Sequence, residues 1–139
     1  MKKLLAISLF ITLLVINNIS LFALPQDLYG TWVGEFTEDE IIVVVKFKFN
    51  ESVLTMNLNY MVDNEILEQE EFTVDIKDWK EKINTDNNTK AAYPGGYLLE
   101  LFSPSRTTFL ELYISGDKKQ ITVPELNEET SEIIAFIKQ

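Results

Sequence analysis

A two-residue alternation of apolar and polar side chains limits this sequence to a small set of folds. In the run that follows Glu40, one face carries the apolar residues Ile41, Val43, Val45, Phe47 and Phe49. The opposite face carries Lys46, Lys48 and Asn50. Side chains of a strand point alternately to its two faces, so this run predicts a half-buried β-strand. Ile42 and Val44 interrupt the polar face, and we expect the N-terminal segment or a partner chain to cover the start of this strand.

The same alternation returns along the rest of the chain. It covers residues 54–60, 67–76, 110–114 and 121–123, whereas residues 97–102 predict a short strand that is apolar on both faces. Turn sequences separate these runs at residues 50–51, 63–64 and 115–118. Trp79 falls out of step with Ile76, which predicts a bulge near Asp78. The polar stretch 84–90 has no apolar period, so we expect it to form the longest loop.

The last segment has two interpretations. Residues 127–130 are suited to capping a helix, whereas residues 131–138 are rich in β-branched side chains. We favour a strand, because about eight or nine residues are few for a helix and because a terminal strand paired with the first one would remove both exposed edges. The sequence therefore predicts an all-β fold, an antiparallel meander of about eight or nine strands that closes into a small barrel.

The stretch 28–36 opens this series of strands and holds Trp32 between Gly30 and Gly34. Trp is large enough to plug the end of a small barrel, and glycines in a strand allow bending or close backbone approach. The Gly30-x-Trp32 pattern, placed before a series of hairpins, resembles the first-strand signature of lipocalins. The resemblance implies a closed lipocalin-like (calycin-type) β-barrel whose floor is closed by Trp32. In that family a basic residue near the last strand often accompanies the Trp, and Lys138 is the candidate for it here.

The first residues have the three parts of a secretory signal peptide. Lys2 and Lys3 precede an apolar run from Leu4 to Ile16, and a short polar stretch follows it. We expect a signal peptide over residues 1–23, cleavage after Ala23, and one all-β domain over residues 24–139. The alternative is an uncleaved anchor. With cleavage the protein would be secreted or periplasmic, without stable insertion in a membrane.

Composition narrows the classes of function. The chain has 22 acidic and 12 basic residues and a formal net charge of −10, so it would repel nucleic acid and anionic membrane surfaces. It has no Cys and no His, which excludes thiol nucleophiles, disulfides, Ser-His-Asp catalysis and the usual zinc sites. The acidic clusters lack the spacing of a calcium-binding loop. We therefore predict no catalytic residues, no metal and no cofactor.

Several large apolar side chains are candidates for a ligand-binding lining. The set consists of Phe47, Met56, Tyr60, Phe72, Tyr97 and Phe109. Aromatic rings together with one adaptable thioether suit a small hydrophobic ligand, although an ordinary filled core would use the same residues. Two hypotheses follow. The favoured one is an exported, non-catalytic, lipocalin-like binding protein, and the alternative is a secreted structural or protein-interaction module with a filled core, with a protein partner or a homodimer.

Overall fold

The computed structural model describes residues 23–139, which fold into eight antiparallel strands closed into one barrel. From the N-terminus the strands are β1 (Gly30–Glu38), β2 (Ile41–Asn50), β3 (Val53–Val62), β4 (Glu65–Ile83), β5 (Gly95–Ser103), β6 (Arg106–Ile114), β7 (Gln120–Thr122) and β8 (Phe136–Lys138). Each strand pairs with the next one in the chain, and β8 pairs back onto β1. The predicted all-β meander barrel is confirmed.

The alternation in β2 produces the inner and outer faces of the barrel wall. Phe47 and Phe49 are buried, whereas Lys46 and Lys48, which alternate with them, are exposed. The turn between β3 and β4 is tight because Asp63 and Asn64 both adopt positive φ values, 51° and 66°. Two consecutive residues with positive φ suit the twist of a two-residue hairpin.

Strand β4 is the longest strand, and its two neighbours lie along different parts of it. β3 pairs with it from Glu65 to Asp75, whereas β5 pairs with it from Asp75 to Ile83. Such a stagger is what closure into a barrel requires, because the strands must tilt against the barrel axis. The register of β4 shifts between Ile76 and Asp78, which confirms the bulge that the sequence predicts near Asp78.

We call the end of the barrel at which β1 begins the lower end. It is closed by the N-terminal segment, residues 23–29, and by Trp32. A 3₁₀ turn, Gln26–Leu28, precedes β1, and Leu24 and Leu28 are both buried. The indole Nε1 of Trp32 donates a hydrogen bond to the Leu28 carbonyl at 3.0 Å, and Trp32 is fully buried. Lys138 lies opposite Trp32 across the β1–β8 pair, with its Nζ 5.2 Å from the centre of a Trp32 ring. Lys138 thus occupies the position that the lipocalin resemblance implies for a basic residue.

The last segment differs from the favoured prediction. It contains a short helix, α1 (Pro124–Thr130), and only then the three residues of β8. Proline suits the first turn of a helix, where its missing N–H is not needed. The Asn127 side chain donates to Thr122 Oγ1 at 2.7 Å and accepts from the Ile134 N–H at 2.8 Å, which directs the chain back towards β1. The predicted pairing of the terminal strand with the first strand is confirmed, but its predicted extent from residue 131 is wrong.

The predicted long loop spans residues 84–94 between β4 and β5. The Asn84 side chain holds it by donating to Thr89 Oγ1 at 2.9 Å and to the Tyr93 carbonyl at 2.8 Å. Of the predicted signal peptide, residues 1–22 lie outside the described residues. Within residues 23–139 no helix has the length and apolar character needed to cross a membrane.

Candidate binding surface at the open end of the barrel

The inner faces of β2, β3 and β4 bring several of the predicted ligand-binding residues together. Phe47 lies opposite Met56, and Met56 lies opposite Phe72. Tyr60 lies four residues after Met56 on the same face of β3, and it pairs with Val43 of β2 and with Glu68 of β4. Partners that face each other in an antiparallel pair project to the same side of the sheet. We use the name open wall for Met56, Tyr60, Glu68, Glu70 and Phe72.

Exposure increases steeply across this row of side chains. Phe47 is 2% exposed, Met56 is partly buried, and Phe72 is 48% exposed. The reason is the stagger of β4, since β5 begins to pair only at Asp75 and leaves the stretch with Phe72 bordered by β3. The open wall is therefore a part of the inner surface that remains accessible to solvent.

Acidic side chains surround the phenol of Tyr60. Glu68 is its direct partner on β4, and Glu70 lies on the same face, opposite Leu58. The pKa of Tyr60 is raised, first by burial of the phenol and then by the negative charges of Glu70, Glu68 and Glu38. The open wall thus combines two aromatic rings and a thioether with a negative electrostatic potential.

Tyr97 belongs to a different part of the interior. It lies opposite Glu81 on the lower part of β4, and its ring meets Trp79 edge to face at 5.5 Å between centroids. It lines an open cleft of about 460 Å³ at the end of the β4–β5 hairpin, together with Lys82, Ile83, Gly95, Gly96, Ile114 and Lys118. Tyr97 and the open wall are consequently two separate surfaces.

Phe109 lies on the outer surface of the barrel. It pairs with Glu100 of β5 and alternates with the inward-facing Leu110 and Leu112, and it is 59% exposed. Of the six predicted ligand-binding residues, the structure groups Met56, Tyr60 and Phe72 at one surface. Phe47 packs beneath them in the core. The alternation of residues 109–114 already separates Phe109 from the inward row.

Sequence reasoning missed the acidic members of the open wall. Glu68 and Glu70 share the parity of Phe72, which places them on the inner face of β4. A parity argument extended through residues 65–72 would have found them. Prediction from alternation assumes that charged side chains lie on the outer face of a barrel. Here the inner face of β4 is also exposed to solvent near Glu68 and Glu70.

Within residues 23–139 no group of three acidic side chains is arranged to hold a metal ion. The carboxylates around Tyr60 come from β4 (Glu68 and Glu70) and from the end of β1 (Glu38), and they give the surface its charge. A surface of this kind can bind a ligand through apolar contact and electrostatic attraction. The sequence has no Cys and no His, so the polar groups of this surface are the carboxylates and the Tyr60 phenol.

The barrel can also be compared with other proteins as a whole. Its eight antiparallel strands, meander order and closure are compatible with a lipocalin-like barrel. Comparisons of the chain with protein-family models, with curated proteins and with solved structures found no match.

Proposed function

We propose that the protein is an exported, non-catalytic, lipocalin-like binding protein that takes a small hydrophobic ligand on the open wall. The proposal combines the predicted signal peptide and the Gly30-x-Trp32 resemblance with the closed barrel. Fold alone does not determine function, so the argument depends on the surface itself. Met56, Tyr60 and Phe72 supply that surface.

The observation that carries the proposal is the exposure of Phe72 on the inner face. An aromatic ring that is 48% exposed on the inner face of the barrel wall leaves apolar area in contact with water. Ligand sites in proteins are concave, mostly apolar and supplied with a few polar groups, and Tyr60 provides such a polar group. Binding of an apolar molecule here would remove the Phe72 ring from water without disturbing the packed core below it.

The charge of the open wall sets the class of ligand. Glu38, Glu68 and Glu70 raise the pKa of Tyr60, after burial as the main cause, so they act on any group bound beside the phenol. An anionic head group such as a carboxylate would be repelled there. We therefore expect the ligand to be a neutral or cationic molecule with an apolar body.

The proposal is tested by titrating the purified protein with Nile red, a neutral dye whose fluorescence rises in apolar surroundings. We expect Phe72→Ala to weaken binding by about tenfold or more, which corresponds to about 1.4 kcal/mol. Phe109→Ala is the matched control, because Phe109 is similarly exposed but lies on the outer face. Equal affinity of both variants and the parent, or no binding by the parent, would reject the proposal.

A second titration tests the charge preference. Oleylamine, oleyl alcohol and oleate share one chain and differ in head-group charge, and they can be compared as competitors of Nile red below their aggregation concentrations. We expect oleate to compete least well. A preference for oleate would contradict the proposed role of Glu68 and Glu70.

Export is tested separately by N-terminal sequencing of protein recovered from outside the cytoplasm. We expect the first residue to be Leu24. Recovery of protein that begins at Met1 would favour the uncleaved anchor.

A further inference from the structure

The upper part of β4 has a hydrogen-bonding edge without a partner strand in the structure. Among residues 23–139, β3 pairs with Glu65–Val74 on one side, and no strand pairs with this stretch on the other side. We call the stretch Glu65–Val74 the free edge. Along such an edge the outward-pointing backbone N–H and C=O groups remain available to an added strand.

The free edge combines charged residues of the kind that commonly protect an edge with exposed apolar ones. Proteins often cover an edge with a helix, shorten it, or fill it with charged residues, and four of the ten residues here are glutamates. Here the edge is ten residues long, and its exposed side chains include Ile66 at 57%, Leu67 at 65% and Phe72 at 48%. Apolar side chains beside free backbone groups are the features that strand addition uses for specificity and affinity.

The charge of this region identifies the kind of partner. Residues 49–76 contain seven acidic residues and no Lys or Arg. Four of the seven belong to the free edge, namely Glu65, Glu68, Glu70 and Glu71. A second copy of the same chain would place glutamates near glutamates along this edge, and like charges opposite each other destabilise strand pairing. A basic segment would instead be attracted.

We propose that the free edge binds an extended basic segment of another protein, which adds to β4 as a further antiparallel strand. Glu68, Glu70 and Phe72 share the inner face, whereas Glu71 lies on the outer face. A matching segment therefore places an apolar side chain opposite Phe72 and basic side chains opposite Glu71, Glu70 and Glu68. The backbone provides the pairing, and the charges set the position of the segment along the edge.

The probe for this proposal is a short labelled peptide with the sequence Thr-Val-Lys-Lys-Thr-Lys-Val-Thr. In the antiparallel direction its first Val lies opposite Phe72 and its three Lys lie opposite Glu71, Glu70 and Glu68. Binding to the purified protein is measured by fluorescence anisotropy at low and at high salt. We expect saturable binding that weakens as salt increases. Absence of binding at low salt would overturn the proposal.

Two variants of equal charge separate the edge from general attraction to an acidic protein. We expect the double variant Glu68→Lys and Glu71→Lys to weaken binding by about tenfold or more. The matched control is Glu125→Lys with Glu128→Lys, at exposed positions of α1, and it should change binding by less than about twofold. Equal losses in the two double variants would show only long-range attraction and would overturn the proposed location.

The added strand itself has a direct test. Two forms of the peptide carry N-methyl groups on alternate residues. In one form the methyl groups replace the N–H hydrogens that would face β4, and in the other form they replace those that would point away from β4. We expect the form methylated on the N–H groups that face β4 to lose binding by about tenfold or more, and the other form to retain it. In hydrogen exchange, the bound peptide should protect amides within residues 65–74. Equal binding by both forms without such protection would overturn strand addition, as would a concentration-dependent dimer that excludes the peptide.

Discussion

The two ends of the barrel use the same pattern of residues with opposite results. Phe47 and Phe72 are the same residue type, project from the same face, and are separated by Met56 on the strand between them. Phe47 is 2% exposed and its ring lies 4.8 Å from that of Phe136, whereas Phe72 is 48% exposed. The comparison shows that inward orientation and burial are separate properties in a small barrel.

Burial depends on what lies across the barrel. At the lower end Trp32, the N-terminal turn and the returning β8 bring apolar side chains against the inner face of β2. At the open end the stagger of the strands leaves the upper part of β4 beyond the reach of β5.

The largest effect should come from Phe47→Ala. We expect it to lower the free energy of unfolding by about 3–5 kcal/mol, because a packed ring is removed and a void remains. Phe72→Ala removes the same atoms from a half-exposed site, so we expect a loss below about 1.5 kcal/mol. Urea unfolding of both variants measures the contrast. Equal losses would mean that the open wall is packed in solution.

Stability at high pH should also distinguish the two ends. Burial, followed by the hydrogen bond to Glu111 and the charge of Glu111, raises the pKa of Tyr113 to about 12. The unfolded chain loses this proton near pH 10, so the stabilising contribution is complete below about pH 10 and is lost as pH rises towards 12. We expect Tyr113→Phe to reduce this loss. Tyr60→Phe, at the open end, should reduce it less, and the reverse order in urea unfolding at several pH values would contradict the comparison.

A smaller effect is expected from Gly34→Ala, which tests whether the lower end has spare room. A Cβ atom at Gly34 would lie 2.7 Å from Cδ1 of Phe136, a ring with 0% exposure. Overpacking of this kind typically costs about 1–3 kcal/mol. Gly116→Ala is the control, since a Cβ there meets no atom within 4 Å. If the two variants have the same urea midpoint, the lower end has room for an added methyl group.

The smallest effect should come from Lys138→Met, which keeps an apolar side chain of similar length but removes the charge above Trp32. An ammonium group over an indole ring contributes about 0.5–1 kcal/mol at partly exposed sites. We expect a loss of that size in urea unfolding. Lys48→Met, on the exposed outer face of β2, should change stability by less than about 0.5 kcal/mol. If Lys138→Met leaves the free energy of unfolding unchanged, the contact between Lys138 and Trp32 does not stabilise the barrel floor.

Much of the wall could be predicted from local pattern. The alternation in residues 41–49, the turn at Asp63-Asn64 and the slip near Asp78 all appear in the structure. These features depend on residues close in sequence, because side-chain direction alternates along any strand and a turn needs particular backbone angles. The helix at Pro124–Thr130 was missed, because its position depends on the contacts of Asn127 with Thr122 and Ile134.

The sequence by itself determined most of the strands, their inner and outer faces, and the acidic character of residues 49–76. Only the tertiary structure decided which inward side chains are buried and which edge is left open. The physical reason is that both properties depend on the stagger between strands on opposite sides of the barrel. No alternation within one strand encodes that stagger. Phe47 and Phe72 therefore look alike in the sequence, and the closure of the barrel makes one a core residue and the other part of the open wall.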